Sequence, residues 1–263
     1  MSRSMVSERN FFGISALLFA SSAAVTIVWC ASMSAMSEMP MPGGWTMSMA
    51  WMRMPGQTWP GAAVSFLCMW MVMMVAMMLP SLVPMLLRYR QAVSKTSEIH
   101  LGQLTALVGV GYFFVWSMFG VAAFALGTTL AAVEMQVPTL ARAVPAAVGL
   151  VVLITGALQF TAWKAHHLAC CRQALGRCCV LPANAGTAWR HGLRLGLHCS
   201  YCCAGLTAIL LVIGVMDLRA MAVMTVAITV ERLAPAGERA ARAIGAVVIA
   251  AGLFLIARAV GIV

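Results

Sequence analysis

The chain has 263 residues, of which 62% are hydrophobic and only 9% charged. Soluble domains carry roughly 25% charged residues, so this chain lacks the polar surface to coat a globule in water, and the lipid bilayer is its natural solvent. The net charge of +10 does not point to nucleic acid, because the basic residues sit in short segments between apolar runs rather than on one separable face.

A spanning helix needs about 20 mainly apolar residues. Residues 10–30 supply the first candidate; the run is long for a signal peptide and no clear small-x-small cleavage site follows, so it reads as a retained helix. Residues 31–60 hold Pro40, Pro42, Pro55 and Pro60 and read as an irregular loop. Residues 61–87 form the second candidate, where Pro80 should kink the helix unless a neighbour satisfies the freed carbonyl. Candidates three to five are 102–127, 144–163 and 195–216. Residues 220–233 are short and end in Glu231 and Arg232, and 243–262 form the last candidate. The expected fold is all-α: a polytopic integral membrane helical bundle forming one domain over 1–263, with about seven spans, or six if 220–233 does not cross.

The basic residues test this topology. Thirteen lie on one predicted side, including Arg9, Arg88, Lys164, Arg172, Arg194, Arg232 and Arg242; four, Arg53, Arg142, Arg219 and Arg258, lie on the other. The positive-inside rule places the N-terminus in the cytoplasm. It makes 31–60 and 128–143 extracytoplasmic loops and 164–194 a cytoplasmic one.

Seven of the nine cysteines fall between 170 and 203, beside His166, His167, His191 and His198. Such clustering favours metal binding over a disulfide framework, provided the compartment is reducing. The densest stretch is HCSYCC, 198–203. If a helix begins near 197, Cys199, Cys202 and Cys203 share one face, with about 5–6 Å between neighbouring Cβ atoms, and His198 pairs with Cys202. Two or three converging thiolates suit Cu(I), whereas zinc wants four ligands. A helix N-terminus would also favour the thiolate. A single cysteine there would read as a small hydrophobe in helix packing; three within five residues next to a histidine exceed what packing asks for. In 163–179, His166 and Cys170, and His167 and Cys171, stand four apart, and either pair could complete that site.

Twenty-two methionines are the second anomaly. Residues 32–56 place Met33, Met36, Met39, Met41, Met47, Met49, Met52 and Met54 among Ser, Pro and Trp, a composition unsuited to a core. Thioethers bind Cu(I) without losing a proton, so this loop reads as a place of metal capture or release. In the next apolar run Met71, Met74 and Met78 make one helical stripe and Met73 and Met77 another. Such a stripe serves packing as readily as conduction. Glu231 beside Arg232 is a candidate functional acid or a helix-end ion pair. There is no phosphate-binding GxxxxGK[ST] loop, no DKTG-like phosphorylation segment and no multi-helix histidine pattern for a haem or a copper oxidase centre, so the chain reads as a binding protein and not an enzyme.

The segments WMVMMVAMMLPS (70–81), LQFTAWKAHHLACCR (158–172), GLRLGLHCSYCCAGL (192–206), GVMDLRAM (214–221) and VERLAP (230–235) resemble a bacterial integral-membrane family of predicted metal-binding proteins. One branch is the membrane copper chaperone that accompanies a bacterial tyrosinase. The resemblance covers roughly 60–260. The family's Lys-x-x-Cys-Leu-x-x-Cys-Arg keeps Lys164, Leu168, Cys171 and Arg172 but has His167 at the first cysteine; its Cys-x-Gly-Cys-Cys becomes Cys199-Ser200-Tyr201-Cys202-Cys203; its Glu-Lys becomes Glu231-Arg232. The resemblance implies copper handling in a bacterial inner membrane, with copper passed to a recipient copper protein or membrane complex. The combined expectation is a Cu(I)-binding chaperone. A copper transporter, a structural subunit of a larger membrane complex and, last, a thiol oxidoreductase are the rivals.

Overall fold

The computed structural model describes residues 2–34, 39–53, 56–93, 98–173 and 183–261. Within them the apolar runs become eight helices: α1 (Ser2–Ser34), α2 (Trp59–Ala92), α3 (Glu98–Gln136), α4 (Pro138–Leu158), α5 (Ala162–Gln173), α6 (Ala185–Ile213), α7 (Leu218–Leu233) and α8 (Gly237–Ala259). Six of them, all but α5 and α7, are long and apolar enough to cross a membrane. The fold is an all-α membrane-type bundle. Its outer faces carry exposed apolar side chains, such as Leu17 and Val28 on α1 and Val247 on α8. A bilayer can cover these faces and water cannot.

Local chemistry sets the helix ends. Thr58 caps α2, its hydroxyl accepting from Gly61 N–H at 3.3 Å, with Pro60 in the first turn where a missing N–H costs nothing. Asn184 caps α6 by accepting from Thr187 N–H at 2.7 Å. Gly214, at φ +145°, ends α6 in a conformation that a side chain would strain. Asp217 then caps α7, accepting from Arg219 and Ala220 N–H at 2.8 and 3.1 Å.

The loops are shorter than the sequence suggests. Residues 39–47 form an antiparallel hairpin, β1 (Met39–Met41) with β2 (Trp45–Met47), pairing Met39 with Met47. Gly43 and Gly44, both at positive φ, make its turn. A 3-10 turn, Met49–Trp51, follows. Residues 128–143 are not a loop either, since only Val137 separates α3 from α4. Within 164–194, α5 and the first turns of α6 are helical. Pro80 and Pro84 both lie inside an uninterrupted α2.

The contacts orient the helices. α4 and α8 run antiparallel, Gly149 against Ile256 and Gly156 against Ile249, small residues letting the two backbones close up. α3 and α6 run parallel, Gly111 beside Trp189 and Gly196 beside Tyr112. α7 is only 16 residues long, yet it joins opposite ends of the bundle. Met216, just before it, meets Cys30 late in α1, while Glu231 near its end meets Gln159 and Lys164 where α4 gives way to α5. Among the described residues, six helices long enough to cross and the shorter α7 run between a methionine-rich end and a basic end.

Candidate metal centre

The first turns of α6, 185–194, carry Arg190, His191 and Arg194, and the apolar run starts at Leu195. Cys199 therefore lies fourteen residues beyond Ala185. The thiols stand where the helix becomes apolar, as expected, but in mid-helix. The expected assistance from a helix N-terminus does not apply, because a macrodipole acts within the first turn.

Cys199, Cys202 and Cys203 do share the inward face, and all three are buried with Cys171 of α5. Cys199 Sγ and Cys203 Sγ are 3.9 Å apart, too far for a disulfide, and Cys171 and Cys202 lie in the same buried cluster. Four thiols from two helices thus share one buried core. Tyr112 of α3 adds its hydroxyl at 2.9 Å from Cys199 Sγ. Gly196 permits that approach: a Cβ there would lie 2.9 Å from Tyr112 O and 3.0 Å from Val115 Cβ. Gly196→Ala should push α3 off α6 and lower stability by about 1–3 kcal/mol, the usual cost of overpacking. Thermal unfolding in detergent measures this, and an unshifted transition would mean the seam is loose.

Two buried cations flank the thiols. Arg232, 2% exposed, donates from one Nη to Cys199 Sγ at 3.2 Å and to Ser81 Oγ at 2.7 Å. Its Nε and other Nη are buried without a hydrogen-bond partner among the described residues. Lys164 donates to Cys202 O at 2.6 Å and pairs with Glu231 Oε2 at 2.7 Å, and Gln159 donates to the other carboxylate oxygen at 3.0 Å. Burial works against the Lys164 ammonium, but Cys202 and Glu231 outweigh it and hold its pKa above the ordinary lysine value. Of the two sequence alternatives for Glu231, the ion pair is the one observed, but with Lys164 across the fold and not with adjacent Arg232. Arg172 ties the same corner together, donating to Glu231 O at 3.3 Å and Pro235 O at 3.0 Å. Breaking a buried pair from one side leaves an uncompensated charge, at a cost of about 3–5 kcal/mol. Lys164→Met and Glu231→Gln should each destabilise the apo protein strongly, and the combined variant should recover much of the loss. Additive losses in the combined variant would count against the pair.

The histidines lie elsewhere. His198 turns away from the thiols toward α5, its ring centroid 5.8 Å from that of His167, which also meets Trp163 at 4.7 Å and Tyr201 at 5.2 Å. The Nδ1 atoms of His167 and His198 are buried without partners among the described residues. Burial, then the neighbouring His166 and His198 rings, hold His167 below the ordinary histidine value, so it keeps a lone pair at neutral pH. His166 Nε2 contacts Cys170 Sγ at 3.7 Å on the more exposed face. Cys171 joins the inner thiols; Cys170 and the histidines form a separate outer group on the α5–α6 face. Cys178, Cys179, Met36 and Met54 lie outside the described residues.

On α2, Met74 and Met78 are fully buried and Met71 is half-buried, accepting from Ser117 Oγ at 3.0 Å. Their stripe continues one turn on to Ser81, which donates to Met78 O and receives Arg232. Met47 packs with Met41, Ala131 and Ala141 in a small core of its own, whereas Met49 faces a cavity beside α1. Tyr112 and Ser81 carry no signal in the sequence that ties them to the thiols; they come from helices remote in the chain.

Among the described residues, no group of three or more His, Cys, Asp and Glu side chains already stands as a metal-binding set. Cys199 and Cys203 are engaged with each other. Each needs only a χ1 rotation to turn a sulfur, so seating one ion would exchange sulfur–sulfur contacts for sulfur–metal ones.

A family model described as PpoB2, copper chaperone, matches residues 67–255. The chain belongs to this copper-chaperone family. The matched region runs from the methionine stripe of α2 to the later turns of α8 and so includes all four core cysteines, Lys164, Glu231 and Arg232. No curated protein and no solved structure matches the chain.

Proposed function

We propose that the protein is a membrane copper chaperone that holds Cu(I) between thiolates of Cys199, Cys202, Cys203 and Cys171 and hands it to a partner metalloprotein. One observation carries this reading. Four cysteines from two helices meet in a buried core beside a guanidinium with two donors unpartnered among the described residues. A buried guanidinium without an anion is costly. Cu(I) held by two thiolates carries one net negative charge, which Arg232 offsets, and soft sulfur selects Cu(I) over harder cations.

The four basic side chains at the methionine end are outnumbered by those at the thiol end. The positive-inside rule then sets the thiol end, and with it the N-terminus, in the cytoplasm of a bacterial inner membrane. There a reducing milieu keeps thiols free. His167, His198, His166 and Cys170 form an outer collar on α5 and α6 through which copper reaches the core sulfurs by ligand exchange. Met71, Met74 and Met78 offer weak thioether stations on the other side. Each step swaps one soft ligand for another, so no bare ion meets the low-dielectric interior. The role needs binding and release, not catalysis.

The test is metal content by elemental analysis after anaerobic purification in detergent, with a Cys199/Cys202/Cys203→Ser variant alongside. Copper present in the natural chain and lost in the variant supports the reading. Absence of copper from both, even after loading with Cu(I), would leave the cysteines as packing. The stripe from half-buried Met71 through buried Met74 and Met78 to Ser81 favours one second reading, transport across the bilayer. Copper flux into sealed proteoliposomes separates the two, since a chaperone loading at one face gives none.

A further inference from the structure

At the end of the bundle opposite the thiols, a cavity of about 160 Å³ lies between α1, α2, the 3-10 turn and the link from α6 to α7. Five methionines line it: Met33 of α1, Met49 and Met52 around the 3-10 turn, Met69 of α2 and Met216. Cys30, one turn before Met33, donates to Met216 Sδ at 4.0 Å. These residues come from four separate stretches of chain, and Met69, Met216 and Cys30 lie outside the methionine-rich segment that the sequence singles out.

Packing alone does not account for this arrangement. Methionine is unbranched and flexible and fills irregular gaps. Five of them, with Trp29, Phe66 and smaller residues, line a half-open pocket several times the roughly 30 Å³ that one water occupies in the liquid. Thioethers are neutral, soft donors that give up no proton on binding, so such a site works where thiols would be oxidised or protonated. Asp217 follows Met216 directly and is fixed in place as the α7 cap.

We infer that this Met33/Met49/Met52/Met69/Met216 cavity is a second binding site, taking one soft monovalent cation, Cu(I) or Ag(I), through thioether sulfur with Cys30 at its edge. The site deepens the copper reading by placing a station at the methionine end, and it rests on that reading for its cargo but not on the thiol centre. Fourteen residues of chain separate Asp217 from Glu231, about 21 Å along a helix, so the two sites bind independently.

The experiment is anaerobic titration of the detergent-purified full chain with silver ion, followed by isothermal calorimetry, on the natural protein, on Met69→Leu/Met216→Leu and on Cys199→Ser/Cys203→Ser. Leucine keeps the volume and removes the sulfur. The methionine variant should bind one silver fewer than the natural protein while retaining its copper at the thiols. The cysteine variant should keep the equivalent that the methionine variant loses. An unchanged silver count in the methionine variant overturns the site. So does loss of every equivalent at once, which would mean a damaged fold or a single shared site. If the thiol reading is wrong, the cysteine variant matches the natural protein while the methionine variant still loses one silver.

Discussion

Replacing Cys199 and Cys203 together by serine should abolish stoichiometric Cu(I) binding at the core while leaving the protein folded. These two sulfurs stand 3.9 Å apart on one face of α6, both fully buried. Removing them takes away two of the four core thiols and the only sulfur–sulfur contact seen among those four. Serine keeps a similar shape and can still hydrogen-bond to Tyr112 and Arg232, so packing persists. What is lost is softness: a hydroxyl is a hard, protonated oxygen, and Cu(I) favours thiolate. Competition against a Cu(I)-selective chelator measures the loss, with thermal unfolding as the check on folding. Copper retained at the natural affinity in a folded double variant would sink the assignment of the site to α6.

Arg232→Met should weaken Cu(I) binding by on the order of a hundredfold, about 3 kcal/mol, without lowering the stability of the apo protein. The guanidinium is buried, touches Cys199 Sγ and Ser81 Oγ, and leaves Nε and one Nη without partners among the described residues. In the apo state those two donors cost free energy, and methionine of similar length removes the cost. In the copper-bound state the loss is of the counter-charge to a bis-thiolate complex in a low-dielectric core, where Coulomb terms are large. The two readouts should therefore move in different directions, which a purely structural role would not produce. Arg232→Lys should fall between: the charge stays, but the compact, strongly hydrated ammonium costs more to bury than the guanidinium whose single Nη meets both Ser81 and Cys199. Unchanged copper affinity in Arg232→Met would remove the arginine from the mechanism.

Several features of the candidate site are legible in the chain because they are local. Helical spacing alone puts Cys199, Cys202 and Cys203 on one face, and that face proves to be the inward one. The same rule fails for His198 and Cys202. Spacing on one helix says which side chains are neighbours, not which neighbouring helix each prefers; His198 turns to His167 on α5 instead. The start of α6 is misjudged for a related reason. Hydropathy locates where a helix becomes apolar, at Leu195, whereas the backbone had already become helical at the Asn184 cap. The hairpin at 39–47 is missed because proline and glycine mark a loop equally well whether or not its arms pair.

Composition alone determines that this chain lives in lipid, since 9% charged residues cannot solvate it. Apolar run lengths determine the helices, because every backbone group in lipid must be satisfied within its own helix. Charge distribution distinguishes the two ends, and clustering marks Cys199, Cys202 and Cys203 as unusual. Tertiary structure decides what surrounds them. It brings Cys171 from α5, Tyr112 from α3, Ser81 from α2 and Arg232 from α7 to one buried point, and it sets Lys164 against Glu231 beside it. It also gathers Met33, Met69 and Met216 around one cavity at the far end. The physical reason is separation along the chain. Contacts within a helix follow from its 3.6-residue period, but contacts between helices depend on which small residues, such as Gly196, let two backbones close, and that is settled only when the helices pack.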